Sequence, residues 1–177
     1  MRQHNGSFDI KGVVGSWKSK GVEDLGNGTF CTREFNFKKD TWKIRFMLYG
    51  DAAMNYPLFA FGAEGDFLVE LPSSVVGGAY NALFGFSKKT LTLLTSNEQV
   101  INNLGFGGCG LEVGVEKDIS SGGCSFLKSV KDYDKEYDLL SLDTTGKILF
   151  LGARPADNDM STEDRRPTAL GYPLIKI

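Results

Sequence analysis

The chain alternates hydrophobic and polar residues over short stretches, which is the period of a β-strand. The stretch at 30–37 has this period, and the polar connection at 38–40 is short enough for a hairpin. The alternation is clearest at 41–50, where one side of the strand carries Trp42, Ile44, Phe46 and Leu48. The two stretches together predict a β-hairpin with one buried face.

Further strands are predicted from similar stretches that are separated by glycine-rich and polar turns. They cover 58–61, 66–71, 79–86, 90–95, 111–115, 137–142 and 147–151. One short helix is predicted over Asn97–Leu104, because Ser96 can cap its start and Gly105 can end it. Residues 152–177 contain three Xaa-Pro pairs and are expected to form an ordered coil that returns across the barrel.

Many short strands with a single helix favour an all-β fold, either a barrel or a sandwich. We prefer a closed antiparallel barrel, because closure leaves no open sheet edges and about eight strands can enclose one small ligand. The length fits one domain. Residues 1–177 are therefore expected to form a single ligand-binding β-barrel domain.

Aromatic residues dominate the predicted interior, and the chain has 13 phenylalanines in 177 residues. Ligand cavities are mainly apolar and aromatic, so the set indicates a binding site for a hydrophobic small molecule. Ordinary core packing is the more frequent role for any one of these rings. The predicted ligand-binding residues are Trp17, Phe35, Phe37, Trp42, Phe46, Phe59, Phe61, Phe67, Phe84, Phe86 and Phe150.

The Gly15-Ser16-Trp17 sequence at the head of the first strand has the form that closes one end of many ligand-binding barrels. Because tryptophan buries a large area, Trp17 is expected to plug the core more readily than to contact a ligand. Arg33 lies on the same side as Phe35 and is predicted to stack on the Trp17 ring.

The chain offers few groups for catalysis or metal binding. Its one histidine, His4, lies in a polar N-terminal stretch, and its cysteines lack the CxxC spacing of zinc sites. The glycine-rich stretch 105–110 lacks the lysine and hydroxyl residue of a phosphate loop. The mixed-charge run 131–136 is expected to be a solvated loop or strand edge. We therefore expect no enzyme, no metal and no cofactor other than a bound lipid or carotenoid.

An enzyme that isomerises or cyclises a hydrophobic substrate is the less favoured alternative. It would use a carboxylate such as Glu34 or Asp51, buried in the cavity with a raised pKa.

Charge and hydropathy limit the partners. The formal net charge is −2 and the basic residues are scattered, which argues against nucleic acid. No stretch reaches the roughly 18 apolar residues of a membrane helix, so no transmembrane segment is expected. The start of the chain lacks the apolar run of a signal peptide, although glycosylation sequons at Asn5 and Asn27 would suit a secreted protein. Self-association into a homo-oligomer stays open.

The three cysteines predict one disulfide and one free thiol. Cys109 and Cys124 lie close together among glycines, and a disulfide between them is favoured over two free thiols. Cys31 lies far upstream on a predicted strand and is expected to be the free thiol.

An ordered series of short motifs along nearly the whole chain resembles the adenomatosis polyposis coli down-regulated protein family. The motifs are Gly15-Ser16-Trp17-Lys18-Ser19-Lys20-Gly21, Thr32-Arg33 with Phe35 and Phe37, Tyr49-Gly50-Asp51 with Pro57 and Gly65, Thr95 with Glu98, Val100 and Leu104-Gly105, Cys109-Gly110, Gly123-Cys124, Phe150-Leu151-Gly152, and Arg166-Pro167-Thr168 with Tyr172-Pro173-Leu174.

The resemblance implies a lipocalin-like (calycin-type) antiparallel barrel or half-barrel whose apolar cavity accepts lipid. It also implies a secreted or extracellular location. The animal members carry the domain twice and act as Wnt antagonists, whereas this chain carries it once, so that activity is not transferred to it. Two family cysteines are replaced here by Val22 and Met54, while Cys109 and Cys124 match the family's other pair.

A protein-binding module for a lipidated signalling partner is the alternative function, and an exposed aromatic patch would favour it. The preferred function is a protein that binds and carries or sequesters a lipid, acyl chain, sterol or carotenoid in the barrel cavity.

Overall fold

A computed structural model describes residues 8–177, and its eleven strands form one antiparallel sheet. His4 and the Asn5 sequon lie outside the described residues. Within them, one α-helix, α1, spans Glu98–Asn103, and short 3₁₀ turns occupy Ile10–Gly12 and Glu163–Arg165. The strands are β1 (Gly15–Ser19), β2 (Glu23–Asp24), β3 (Phe30–Phe37), β4 (Thr41–Tyr49), β5 (Pro57–Pro72), β6 (Tyr80–Gly85), β7 (Lys88–Leu93), β8 (Glu116–Asp118), β9 (Lys135–Leu142), β10 (Ile148–Gly152) and β11 (Leu170–Lys176).

Eight of the strands close into a barrel, which confirms the predicted all-β, lipocalin-like architecture. Around the ring the order is β1, β3, β4, β5, β6, β9, β10 and β11, and β11 pairs back with β1. Strand β2 extends β3 outside the ring, and β7 and β8 extend β5. No helix within residues 8–177 has the length and apolar character needed to cross a membrane.

The long strand β5 sets the shape of the barrel. The sequence predicts two separate strands here, but residues 57–72 are continuous. The first half of β5 pairs with β7, as in Phe59 opposite Leu93, and the second half pairs with β6, as in Phe67 opposite Phe84. Because β6 and β7 follow each other with only Phe86 and Ser87 between them, they act as one bent partner of β5. The β6 side continues the barrel into β9, and the β7 side leaves it towards β8.

The C-terminal segment is a strand, so its prediction as coil is wrong over Leu170–Lys176. This strand, β11, lies between β1 and β10 and supplies the last pairing that closes the ring. Its glycine and proline, Gly171 and Pro173, weaken the strand pattern in the sequence. The pairing partners on both sides supply the order that local propensity does not.

Two smaller predictions are also corrected. Residues 111–115 are not a strand, and the short strand β8 begins at Glu116. Asn97, not Ser96, caps α1, because its side-chain oxygen accepts hydrogen bonds from the backbone N–H groups of Gln99 and Val100 at 3.1 and 3.2 Å. Gly105 follows the helix with φ near +73°, a conformation that suits glycine.

The buried apolar side chains form two clusters. The barrel cluster lies inside the ring and contains Val13, Trp17, Phe35, Phe37, Trp42, Ala63, Phe67, Ala82, Phe84, Leu140, Leu149, Leu151 and Leu174. The second cluster lies beneath residues 98–128, which we call the lid. This lid cluster joins Cys31, Leu48, Phe59, Leu91 and Leu93 from the strands to Phe106, Ile119 and Cys124 from the lid.

Candidate functional site

The structure gathers all but one of the predicted ligand-binding residues in the two clusters. Phe61 packs against both clusters, and Phe46 packs against the lid cluster, in which Phe59 is buried. Phe86 packs against the barrel cluster. The remaining predicted residues are buried in the barrel cluster: Trp17, Phe35, Phe37, Trp42, Phe67 and Phe84.

Phe150 is the exception, and its predicted place inside the barrel is wrong. Its neighbours Leu149 and Leu151 are buried in the barrel cluster, so alternation puts the Phe150 side chain on the other face of β10. The run Ile148–Leu151 is apolar at every position, and its sequence therefore does not reveal which residues point inward.

The rings of the barrel cluster pack directly against one another. The ring centroids of Trp42 and Phe84 are 4.9 Å apart in an edge-to-face arrangement, and Phe67 lies 4.9 Å from Phe37 and 5.0 Å from Phe84. These spacings are those of favourable aromatic pairs. The indole nitrogens of Trp17 and Trp42 donate to the carbonyls of Val13 and Gly85, both at 2.8 Å. The barrel cluster is therefore a packed core in this conformation.

Two open grooves lie on the outside of the barrel. One groove, of about 220 Å³, runs past Ser16, Asn36 and Lys43. The other, of about 210 Å³, runs past Arg45 and Thr90. Both are smaller than the roughly 300 Å³ at which small-molecule sites usually begin. In this conformation, an apolar ligand inside the ring would have to displace side chains of the barrel cluster.

A row of phenylalanine rings leads from the surface into the lid cluster. Phe126 is about half exposed at 55% and stacks on Phe106 with ring centroids 5.6 Å apart. Phe106 lies 5.2 Å from Phe59, which lies 6.1 Å from Phe46. The sequence analysis did not single out Phe106 or Phe126, because neither lies on a strand with an inward and an outward side.

The predicted disulfide is confirmed and lies within the lid. Cys109 and Cys124 are bonded, with their Cα atoms 5.7 Å apart. The third cysteine, Cys31, is a buried free thiol on β3 beneath the lid. Burial raises the pKa of Cys31 to about 12, and the nearby Glu23 carboxylate raises it in the same direction.

Arg33 does not stack on Trp17 as predicted. Its guanidinium forms two-pronged hydrogen bonds with the carboxylate of Glu23, the shortest at 2.6 Å, and lies 5.7 Å from the centre of the Phe35 ring. Lys176 of β11 is the cation over Trp17, at 5.3 Å. The sequence offered no sign that Glu23, on the short strand β2, would reach Arg33.

A buried ionic group lies where β9 begins. Glu136 belongs to the mixed-charge run that was predicted to be solvated, but its side chain is buried and paired with Arg154. The Tyr133 hydroxyl donates to Glu136 at 3.2 Å and accepts from the backbone N–H of Met160 at 2.9 Å. The prediction of a solvated run is therefore wrong at Glu136.

Asp138 faces the interior two residues further along β9. Its carboxylate accepts the backbone N–H groups of Leu139 at 2.7 Å and Gly152 at 2.9 Å. Burial raises the pKa of Asp138 to about 6.

Lys89 carries a buried ammonium between the lid and the barrel. Its nitrogen donates to the carbonyls of Lys128, Ser129 and Tyr133 at 2.8–3.2 Å and lies 4.5 Å from the centre of the Phe86 ring. Burial lowers the pKa of Lys89 to about 8. These contacts fix the segment that joins the lid to β9.

The buried polar groups of the described residues serve the fold. Every buried side-chain nitrogen and oxygen within 8–177 has a hydrogen-bond partner. The same residues place no three His, Cys, Asp or Glu side chains where they could hold a metal ion. Glu34 is exposed on the outside of β3, and Asp51 accepts backbone hydrogen bonds from Asn55 and Tyr56 in a turn. Neither of these two carboxylates faces the clusters.

Comparison with known proteins matches the chain to no protein-family model and to no characterised sequence.

Proposed function

We propose that the protein binds a hydrophobic small molecule inside the barrel and carries or sequesters it. The observation that supports this function is the concentration of aromatic side chains inside a closed antiparallel barrel. Burial of apolar ligand surface contributes about 25 cal/mol per Å², so a long hydrocarbon chain binds without any charged contact. Lipids, acyl chains, sterols and carotenoids all have such surface.

Two further observations support this proposal. The disulfide between Cys109 and Cys124 suits an oxidising, extracellular environment, in which lipids need a carrier. The resemblance to the adenomatosis polyposis coli down-regulated proteins points to the same class of ligand.

Organic extraction of the freshly purified protein, followed by mass spectrometry and an absorption spectrum, tests this function. We expect one class of apolar compound in stoichiometric amount, with visible absorption if the compound is a carotenoid. Protein that was unfolded and refolded without lipid is the control, and it should take up added fatty acid. A protein that yields no apolar compound and takes up none after refolding would overturn the proposal.

A second function, docking of a lipidated protein partner, is favoured by one surface feature. Leu68 and Leu71 on the second half of β5 and Val75 in the turn that follows it are 57–76% exposed. Exposed apolar side chains that lie together commonly mark interaction sites. A palmitoylated peptide that binds the wild type but not the Leu71→Ser, Val75→Ser variant would support docking at these residues, and equal binding to both would exclude it.

A further inference from the structure

We propose that the ligand enters at the lid and occupies the place of the Phe106 ring, so that residues 98–111 act as a gate. This inference rests on the proposed function, because it says where in the barrel the apolar ligand binds. The gate consists of α1 and the loop that follows it.

The gate is attached to the barrel differently from the rest of the lid. Residues 112–120 are fixed to β7 by hydrogen bonds, such as those from Gly114 N–H to the Leu93 carbonyl and from Ile119 N–H to the Lys89 carbonyl, at 2.8 and 2.9 Å. Strand β8 pairs with β7 along the same stretch. This part of the lid therefore belongs to the sheet.

The gate itself is held mainly by apolar contacts. In the described part of the chain, none of its hydrogen bonds reaches strands β1 to β7. Its polar ties run to Asn97, which caps α1, and to the rest of the lid. Ser125 donates to the Leu104 carbonyl, Lys117 donates to the Cys109 carbonyl, and the disulfide joins Cys109 to Cys124. Because the strands are joined by continuous ladders of hydrogen bonds and the gate is not, we expect the gate to open before any strand separates.

Beneath the gate, Phe106 fills the space that a ligand needs. Its side chain is 1% exposed and packs against the half-exposed Phe126 and the buried Phe59, whose ring centroids also lie 6.2 Å from each other. Movement of the gate would withdraw Phe106 and leave an apolar passage from the surface to Phe59 and Phe46. The strands around this passage keep their hydrogen bonds.

The passage selects a slender ligand. It is one aromatic ring wide, because the ring that leaves it is a single phenylalanine side chain. A fatty acyl or isoprenoid chain is slender enough to fill such a space, whereas a fused-ring sterol is wider than one phenyl ring. We therefore assign a single hydrocarbon chain as the ligand class of this site.

The test compares two phenylalanines that are equally buried. Phe106→Ala removes the side chain that occupies the proposed site, and Phe37→Ala removes a side chain of the same size, also 1% exposed, from the barrel cluster. Binding of the fluorescent fatty acid cis-parinaric acid is titrated against the wild type and both variants. Because the ligand no longer has to displace Phe106, we expect about tenfold tighter binding by Phe106→Ala. Phe37→Ala should stay within about twofold of the wild type.

The outcomes separate this inference from the proposed function. The wild type could bind the probe while the two variants change its affinity equally, or while only Phe37→Ala changes it. Either result would contradict the gate and leave the proposed function standing. If no form of the protein binds any probe saturably, the proposed function itself is wrong.

A variant with both Cys109→Ala and Cys124→Ala should bind cis-parinaric acid about tenfold faster, since the gate loses its covalent tie. An unchanged association rate in that variant would contradict the gate.

Discussion

At the level of single residues, Asp138 is a buried carboxylic acid whose surroundings disfavour its charged form. Burial raises its pKa to about 6, above the ordinary value near 4. The folded state therefore binds the proton more tightly than the unfolded state does. The stabilisation from this group is complete below about pH 4 and is lost as the pH rises through about 6.

Asp138→Asn should remove this pH dependence. The amide oxygen still accepts the hydrogen bonds from Leu139 and Gly152 N–H, while no charge is buried. The variant should gain stability relative to the wild type between pH 4 and 6, on the order of 2 kcal/mol. Urea unfolding at a series of pH values measures the difference. A constant difference between variant and wild type across this range would contradict the account of Asp138.

Asp143→Asn is the matched control, because this acid is perturbed in the opposite direction. Hydrogen bonds from Thr145 and from the backbone of Ile148 lower the pKa of Asp143 to about 2. Its stabilisation is present above about pH 4 and disappears as the pH falls towards 2. In the same unfolding series, the Asp143→Asn variant should therefore lose stability relative to the wild type as the pH rises from 2 to 4.

Cys31 should resist alkylation as long as the protein is folded. Its thiol is 2% exposed, and burial together with the Glu23 carboxylate disfavours the reactive thiolate. With iodoacetamide at pH 8 we expect labelling at the rate of unfolding, and full labelling in denaturant. Labelling of Cys31 in the folded protein as fast as that of a cysteine in a short peptide would contradict this prediction.

At the level of elements, the bend between β6 and β7 depends on a close backbone approach. A Cβ atom at Gly65 of β5 would lie 2.0 Å from the carbonyl oxygen of Gly85 at the end of β6. Gly65→Ala should therefore force the strands apart and destabilise the protein by about 3 kcal/mol. Gly77→Ala, where an added Cβ meets nothing within 4 Å, should change stability by less than about 0.5 kcal/mol. Equal urea midpoints for these two variants would show that the bend tolerates a side chain.

The sequence predicts elements well where one face is apolar and the other is polar. The β3–β4 hairpin is found at its predicted residues, apart from Gly50, because its alternation is strict. The pattern fails for β10, which is apolar on both faces, so the side of Phe150 could not be assigned. It fails again for β11, where Gly171 and Pro173 mask a strand that its partners hold in place. Tertiary pairing supplies what local propensity leaves undecided in both strands.

The candidate site was predictable only in part for the same reason. Aromatic residues on alternating strands identify the barrel cluster from sequence. Phe106 and Phe126 lie on irregular segments that the Cys109–Cys124 bond brings together, and irregular segments have no period from which an inward side can be read. The ion pairs Glu23–Arg33 and Glu136–Arg154 form between residues whose spacing in the sequence does not indicate that they meet.

At the level of the whole molecule, the barrel contains two apolar clusters, and different elements shield each of them from solvent. The barrel cluster is enclosed by hydrogen-bonded strands and filled by its own rings, whereas the lid cluster is covered by α1, irregular loops and the short strand β8. We expect the gate to open at a lower free energy than the strands and therefore place ligand exchange there. The proposed function requires that the interior accept one apolar molecule.

Titration of the refolded, lipid-free wild type with cis-parinaric acid measures whether such a site exists. We predict saturable binding of one molecule per chain that is displaced by an unlabelled fatty acid of similar length. Both tryptophans, Trp17 and Trp42, lie in the barrel cluster, so their emission should fall as the polyene binds inside the barrel. Fluorescence that rises without saturation, or that the competitor does not reverse, would show that no interior site exists.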